Sequence, residues 1–310
     1  MNWKPFTFGL TFRLGIIRIG SVAFRAIQPD VHPFKLPPHP DFDLIPLGAL
    51  NEGIEAIILR SHPIQNPLER LSMQHGALCY VPSTYCHHYV DLSGTFQEYL
   101  GKFTSKSRSS LQRKVRKLTQ EDVEFQTFRS ADELLRFHLL ARQVSLKTYQ
   151  ENLLRTGLPD TPAFRDELRA RGEEDTARAF LLVKGSTPIA YLYSPAEQGV
   201  LMYDHLGYDP QFRQDSPGTV LQYLALEFLF AERKFTMFDF EEGEGQHKKM
   251  FATHSLECAD FLLFAPTLRA NALVRAHCVL NESVRAAMRI AERARLKGRL
   301  KQLVKTWSAK

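Results

Sequence analysis

The chain has 310 residues, 44% hydrophobic and 24% charged, with a formal net charge of +6. At roughly 150 residues per domain this predicts two compact units, and the balance excludes a collagenous, low-complexity or wholly disordered chain. No run approaches about 18 consecutive apolar residues, so a membrane-spanning helix is not expected. The N-terminus carries Lys4, Arg13 and Arg18 among short apolar runs and lacks the pattern of a secretory signal. Cys79, Cys86, Cys258 and Cys278 are too few and too scattered for a disulfide framework, so the expected compartment is the reducing cytoplasm. Cys79 and Cys86 lie near His75, His87 and His88, but their spacing fits no zinc site. Buried thiols and strand histidines are expected instead, and no metal.

Charge is unevenly spread. From Arg269 to the end there are 11 Lys/Arg against Glu282 and Glu292, and the rest of the chain holds 29 against 32. Basic character therefore belongs to the C-terminal segment, with a second local patch of six Lys/Arg from Lys106 to Lys117.

In chain order, six of the 17 prolines fall between Pro29 and Pro46, which predicts an extended surface connection. Residues 55–60 and 77–81 read as short buried strands. Phe96, Tyr99, Leu100 and Phe103 have helical spacing, and Ser105 is a favoured N-cap for a second helix carrying Leu111, Val115 and Leu118 on one face. Residues 131–155 and 162–171 read as two further helices. A run of strand signals follows: 179–184, 189–193 and 200–207, an antiparallel meander with turns at Gly185–Pro188 and Ala196–Gly199. Residues 208–218 then open a helix with Leu221, Leu224, Ala225 and Phe228 on its buried stripe. Residues 234–240 and 256–264 read as the last strands. In the C-terminal segment Val284, Ala287, Met288 and Ala291 form one helical stripe, and Leu296, Leu300, Leu303 and Trp307 another.

Chemistry concentrates in two places. Ser216-Pro217-Gly218-Thr219 begins a helix, with Ser216 as expected N-cap and Pro217 in the first turn. Helix starts attract anions, and Arg213 can add a charge-assisted bond to a phosphate. The second place is the end of the strand at 234–240, where Asp239 and Glu241 are two apart and His247 and Lys248 follow. Either carboxylate can act as a base, His247 titrates near neutrality, and Lys248 can stabilise an oxyanion.

Four segments carry a family resemblance: Phe103–Lys117, Gly207-Tyr208-Asp209-Pro210, Ser216–Leu221 and Phe238–Lys248. Their order resembles the Gcn5-related N-acetyltransferase (GNAT) superfamily, in its CelD-like acetyltransferase branch, a relative of FemAB-type aminoacyltransferases. The resemblance covers roughly residues 96–265. Two positions depart from it: the branch often has Gly where Glu241 stands and Tyr where His247 stands, while Asp239, Gly243 and Lys248 are kept.

The resemblance implies an α+β acyl-CoA N-acyltransferase-like fold around a central mixed, mostly antiparallel sheet. The expected organisation is an N-terminal segment 1–95, an acyltransferase domain 96–267 and a basic amphipathic helical tail 268–310. The first segment would be either a reduced second copy of the fold or an added sheet segment. The implied activity moves an acetyl or other acyl group from coenzyme A, as co-substrate, to an amine or hydroxyl acceptor such as a saccharide or envelope precursor in exopolysaccharide biosynthesis. Asp239, Glu241, His247 and Lys248 would be catalytic. Arg213, Ser216, Gly218 and Thr219 would hold acetyl-CoA, and Tyr203, Asp204 and Arg108 the substrate. Aminoacyl transfer from aminoacyl-tRNA and a silent ligand-binding domain are the alternatives. With its charge and apolar faces, segment 268–310 can touch an anionic membrane surface peripherally, whereas no nucleic-acid motif is present.

Overall fold

A computed structural model describes the chain except Met1, Ile16, Pro38, Pro67, residues 149–156, Glu244 and residues 294–310. The chain divides into two compact units, Tyr85–Leu256 and a second made of Met1–Thr84 with Glu257–Lys310. Residues 268–293, set apart by charge in the sequence, thus group with the N-terminal residues.

The second unit begins with two long strands, β1 (Trp3–Leu14) and β2 (Ile17–Pro29), paired as a hairpin. Phe6, Phe8, Leu10, Phe12 and Leu14 alternate with Thr7, Gly9, Thr11 and Arg13, the period-2 pattern of a strand with one apolar face. β3 (Ala56–Pro63) runs parallel to β2 at Ala26↔Ala56 and Ile27↔Ile57. β4 (Leu71–Gln74) and β5 (Ala77–Tyr80) form a short hairpin. The proline-rich connection is not extended throughout: it makes 3-10 turns at Pro33–Lys35 and Phe42–Leu44, a five-residue 3-10 helix follows at Leu47–Asn51, and Ile45 and Leu50 are buried.

The unit Tyr85–Leu256 is built on β6 (Thr84–Asp91), α1 (Phe96–Gly101), α2 (Ser105–Thr119), β7 (Val123–Phe128), α3 (Ala131–Ser145) and α4 (Pro162–Glu173). There follow β8 (Ala177–Lys184), β9 (Thr187–Glu197), β10 (Val200–Met202), β11 (His205–Tyr208), α5 (Pro217–Glu232), β12 (Met237–Glu242) and α6 (Gln246–Phe251). The strand order β6-β12-β10-β9-β8-β7 is mixed: only β10 and β12 run parallel within it. β13 (His254–Phe264) and α7 (Leu268–Arg293) complete the chain's elements, and from Glu257 onward they belong to the other unit. This is the mixed α+β acyltransferase-like architecture expected.

Local chemistry sets the boundaries. Thr95 and Glu98 form a reciprocal capping box at α1. The cap of α2 is Thr104, not Ser105: its side chain accepts from Ser107 N–H at 3.2 Å. α3 stops at Ser145, well before the expected 155; of the remainder, residues 149–155 lie outside the described residues. α5 is apolar nearly all round, burying Val220, Leu221, Leu226, Leu229 and Phe230 among residues of β8, β9 and β12. A helix so sheathed gains little from amphipathicity and is fixed by packing alone. Its C-terminal end is tied by Arg178, whose guanidinium is 1% exposed and bonds Glu232 at 2.6 Å and Asp175 at 2.6 Å.

Candidate active site: a wedge between two parting strands

The expected single strand at 200–207 is two. β10 follows β12 in parallel, Val200↔Met237 to Met202↔Asp239, and the ladder ends where Tyr203 N–H donates to Asp239 C=O at 2.8 Å. β11 instead follows β9, His205↔Tyr193 to Tyr208↔Ala190. Leu201 still faces Ala196, so three residues, Met202–Asp204, stand opposite two, Ser194 and Pro195. This is a β-bulge, and it turns the chain away from β12. Among the described residues β11 and β12 share no ladder, which leaves a wedge between them with Tyr203 and Asp239 at its apex.

The β11 wall leads to the start of α5. Gly207 permits close packing there, since a Cβ on it would lie 2.5 Å from the Tyr191 ring. Gly218 has ordinary room: a Cβ would sit 3.5 Å from Tyr208 and 3.6 Å from Leu206. Ser216 differs from expectation. It takes a left-handed conformation, φ 55 and ψ 47, and its hydroxyl makes no capping bond. Its carbonyl accepts from Thr219 N–H (3.0 Å) and Val220 N–H (3.1 Å), so these amides already have partners. Gly218 N–H has none among the described residues. Arg213 is exposed in the turn Pro210–Asp215 that precedes the helix. That turn is pinned from two sides: Lys117 of α2 bonds Asp215 at 2.7 Å, and Lys147 bonds Asp209 at 2.7 Å. One member of the basic patch is therefore a brace. Arg108 sits in the first turn of α2, partly buried, and no bond joins it to either wall among the described residues.

The β12 wall is more densely bonded. Asp239 is 3% exposed, and its Oδ1 lies 2.5 Å from His87 Nε2 and accepts from Glu241 N–H at 2.8 Å. Asp239 pairs with Tyr89 and Glu242 with His87, so Phe240 and Glu241 face the single residue His88. The second bulge places Glu241 at φ 57, where a non-glycine side chain carries strain. Burial, with Asp204 and Asp239 nearby, pushes the Glu241 carboxyl up to about 7. Lys248 Nζ donates to Glu242 C=O at 2.7 Å, and burial lowers its pKa. The His247 ring lies 5.7 Å from Tyr203, and burial beside Lys248 lowers its pKa. Tyr203 also packs on Phe238 and Phe240, and burial raises its hydroxyl, which stays protonated. The far end of α6 is held by α1: Tyr99 Oη donates to Phe251 C=O at 2.8 Å and Lys102 Nζ to Ala252 C=O.

The structure thus gathers Tyr203, Asp204, Asp239, Glu241, His247 and Lys248 at one wall and Arg213, Ser216, Gly218 and Thr219 at the other. Sequence reasoning missed His87, the buried partner of Asp239. The sequence marks His87 as a strand histidine, but its pairing with a carboxylate 152 residues away leaves no local signal. Among the described residues no group of three or more His, Cys, Asp or Glu is arranged to hold a metal. No described helix is long and apolar enough to cross a membrane.

Residues 105–249 match the family model described as an acetyltransferase (GNAT) domain. The matched span takes in both walls of the wedge, β11 with the start of α5 on one side and β12 on the other. Similar solved structures include the C-terminal domain of a putative lysylphosphatidylglycerol synthetase from Agrobacterium fabrum, at 11% identity over 77% of this chain and 75% of that one, TM-score 0.48. Another is L-PGS from Bacillus licheniformis, at 14% identity over 84% and 86%, TM-score 0.47. A third is FemX, at 12% identity over 83% and 88%, TM-score 0.48. Comparison with curated proteins returns no match.

Proposed function

We propose that the chain transfers an acyl group, most simply acetyl, from coenzyme A to an amine or hydroxyl acceptor, a saccharide or envelope precursor. The observation that supports this best is the parting of β11 from β12, with a carboxyl poised near pH 7 at one wall and an open helix start at the other. In the reaction a C–N or C–O bond forms at the thioester carbonyl as the C–S bond breaks. A base must take the acceptor's proton. Glu241 suits this role, because a carboxyl near 7 is ionised in a useful fraction at neutral pH and still takes a proton readily. Asp239 supports it by holding the Glu241 amide and His87, and Lys248 steadies the turn beneath. Asp204 and Glu242 make the rim acidic, which favours an acceptor arriving as an ammonium. Tyr203 lines the apex where the acyl group would lie.

For the donor, the fit is narrower than a full helix-start cradle, because the Thr219 and Val220 amides are engaged. Gly218 N–H, the Ser216 hydroxyl and Arg213 would bind the phosphates, with Thr219 flanking. Coenzyme A, when bound, supplies the activated acyl carbon; the chain supplies base, alignment and exclusion of water.

Calorimetric titration with acetyl-CoA tests this reading. Micromolar binding is expected, weakened about tenfold by Arg213→Ala and abolished by Gly218→Trp, whose indole would overfill the space beside Leu206 and Tyr208. No heat with acetyl-CoA or a longer acyl-CoA, from protein shown to be folded, would remove the proposal. Binding of charged tRNA in its place would assign aminoacyl transfer, and acetyl-CoA binding without turnover on any acceptor panel a silent domain.

A further inference from the structure

The unit formed by Met1–Thr84 and Glu257–Lys310 holds 18 Lys/Arg against 10 Asp/Glu, a net +8, while Tyr85–Leu256 holds 22 against 24. It also carries most of the large exposed apolar side chains, and three of these cluster at one place: Leu14 (55% exposed), Ile17 (47%) and Ile19 (61%), at the end of the β1–β2 hairpin.

The hairpin is built to project. β2 meets β3 only around Ala26 and Ile27, so residues Thr7–Arg25 continue as a two-stranded ribbon beyond that ladder. Over its first part the apolar face is covered. Phe8 and Phe24 pack on Phe264, Phe12 lies 5.1 Å from the His277 ring, and His277 Nε2 is 3.1 Å from Thr11 C=O. Among the described residues α7 therefore meets the ribbon at Thr11–Phe12. The same face continues past the cover to Leu14, whose register partner is Ile17. A register shift after Phe12 leaves Ile19 as an extra residue in β2, and Gly15 turns the chain at φ +63. Arg13 and Arg18 stand opposite each other directly behind the tip, and no acidic residue occurs before Asp30.

We propose that this hairpin tip is a membrane-docking wedge for an anionic bilayer. Leu14, Ile17 and Ile19 enter the headgroup–acyl boundary, and Arg13 and Arg18 bind lipid phosphates behind them. Three aliphatic side chains on a ribbon end are far less than the roughly 800 Å² per partner of a stable protein interface. They suit a shallow apolar insertion, and the net +8 of the unit complements anionic headgroups. That excess lies by sequence in residues 269–310, with 11 Lys/Arg against Glu282 and Glu292, which would supply the longer-range attraction without being the inserted element.

The test is co-sedimentation of the full chain with vesicles of phosphatidylcholine alone or with 30% phosphatidylglycerol. Binding to the anionic vesicles, reversed by about 0.5 M salt, is expected. The double variant Leu14→Asp/Ile17→Asp should weaken partitioning at least tenfold, and Arg13→Glu/Arg18→Glu likewise. Because these residues are exposed, both variants should melt like the parent, and Ile19→Ser should give an intermediate loss with less perturbation. Absence of binding to anionic vesicles would overturn the proposal. So would binding that survives in both double variants, which would assign the C-terminal segment. A concentration-dependent dimer abolished by the tip variants would overturn it in favour of self-association.

Discussion

The two walls of the wedge are made in opposite ways. At the β12 wall nearly every polar group is held: Asp239 by His87 and the Glu241 amide, Lys248 by Glu242 C=O, and the end of α6 by Tyr99 and Lys102. At the β11 wall the α5 start is braced from behind by Lys117 and Lys147, while Arg213 and the Ser216 side chain make no such bonds among the described residues. Dense bonding on one side fixes groups whose protonation must be tuned, since a buried carboxyl titrates where its neighbours put it. Openness on the other side suits a surface that closes on a phosphate, where the ligand completes the hydrogen bonding. Substitutions should therefore act through stability and protonation at the first wall and through affinity at the second.

The largest effect is expected at Glu241. Glu241→Gln should lower kcat by about 10² to 10⁴, the usual contribution of a positioned base, with acetyl-CoA affinity within threefold of the parent. In the parent, kcat/KM should rise with pH through about 7 and level off above it, because the base must be ionised. The stability linkage runs the other way. A carboxyl raised above its unfolded value stabilises the fold while protonated, and that contribution is lost as pH climbs through about 7. Because the loss runs between the ordinary value of 4.5 and about 7, Glu241→Gln should gain on the parent as thermal melts move from pH 4 to pH 8.5. A flat activity profile across pH 6–8 would remove Glu241 from the proposed role.

Next comes the buried pair beneath it. Asp239→Ala takes an acceptor from His87 and from the Glu241 amide and should cost about 3 kcal/mol of stability, read from denaturant unfolding. His87→Gln should cost less and shift the acid limb of the activity profile, since it moves Asp239 without removing it. If His87→Gln changes activity but leaves that limb in place, the pair is structural only. A third contrast separates strain from chemistry. Glu241→Gly puts glycine at φ 57, relieving about 1 kcal/mol, so it should stabilise the protein while abolishing the base. Equal loss of stability and activity would show that the Glu241 side chain, and not the bulge backbone, holds the turn.

How far the sequence foretold this depends on the kind of signal. The wedge's components were legible, because strand alternation, the Ser216-Pro217-Gly218 helix start and the Asp239–Lys248 segment are local patterns. The break at Met202–Asp204 was not: Val200–Gly207 reads as one strand, and a bulge arises from pairing with β9 and β12, which no local window contains. The left-handed Glu241 was half legible, since it stands where the resembled family often has Gly. The β1–β2 hairpin is legible in its period-2 alternation, although Arg13 and Arg18 interrupt the apolar pattern near its tip.

The smallest effect sharpens the comparison most cleanly. Gly218 lies in the first turn of α5, and its Cβ position has ordinary van der Waals room against Tyr208 and Leu206. Alanine there should gain about 0.5–1 kcal/mol from helix propensity, while its methyl leaves the Gly218 N–H in place. Acetyl-CoA affinity should then change by less than threefold, against complete loss in Gly218→Trp. If alanine abolishes binding as fully as tryptophan, the donor requires closer backbone approach than the Gly218 N–H alone would need. The open wall would then be a tightly shaped surface like its opposite, and the contrast between the two walls would fail at this point.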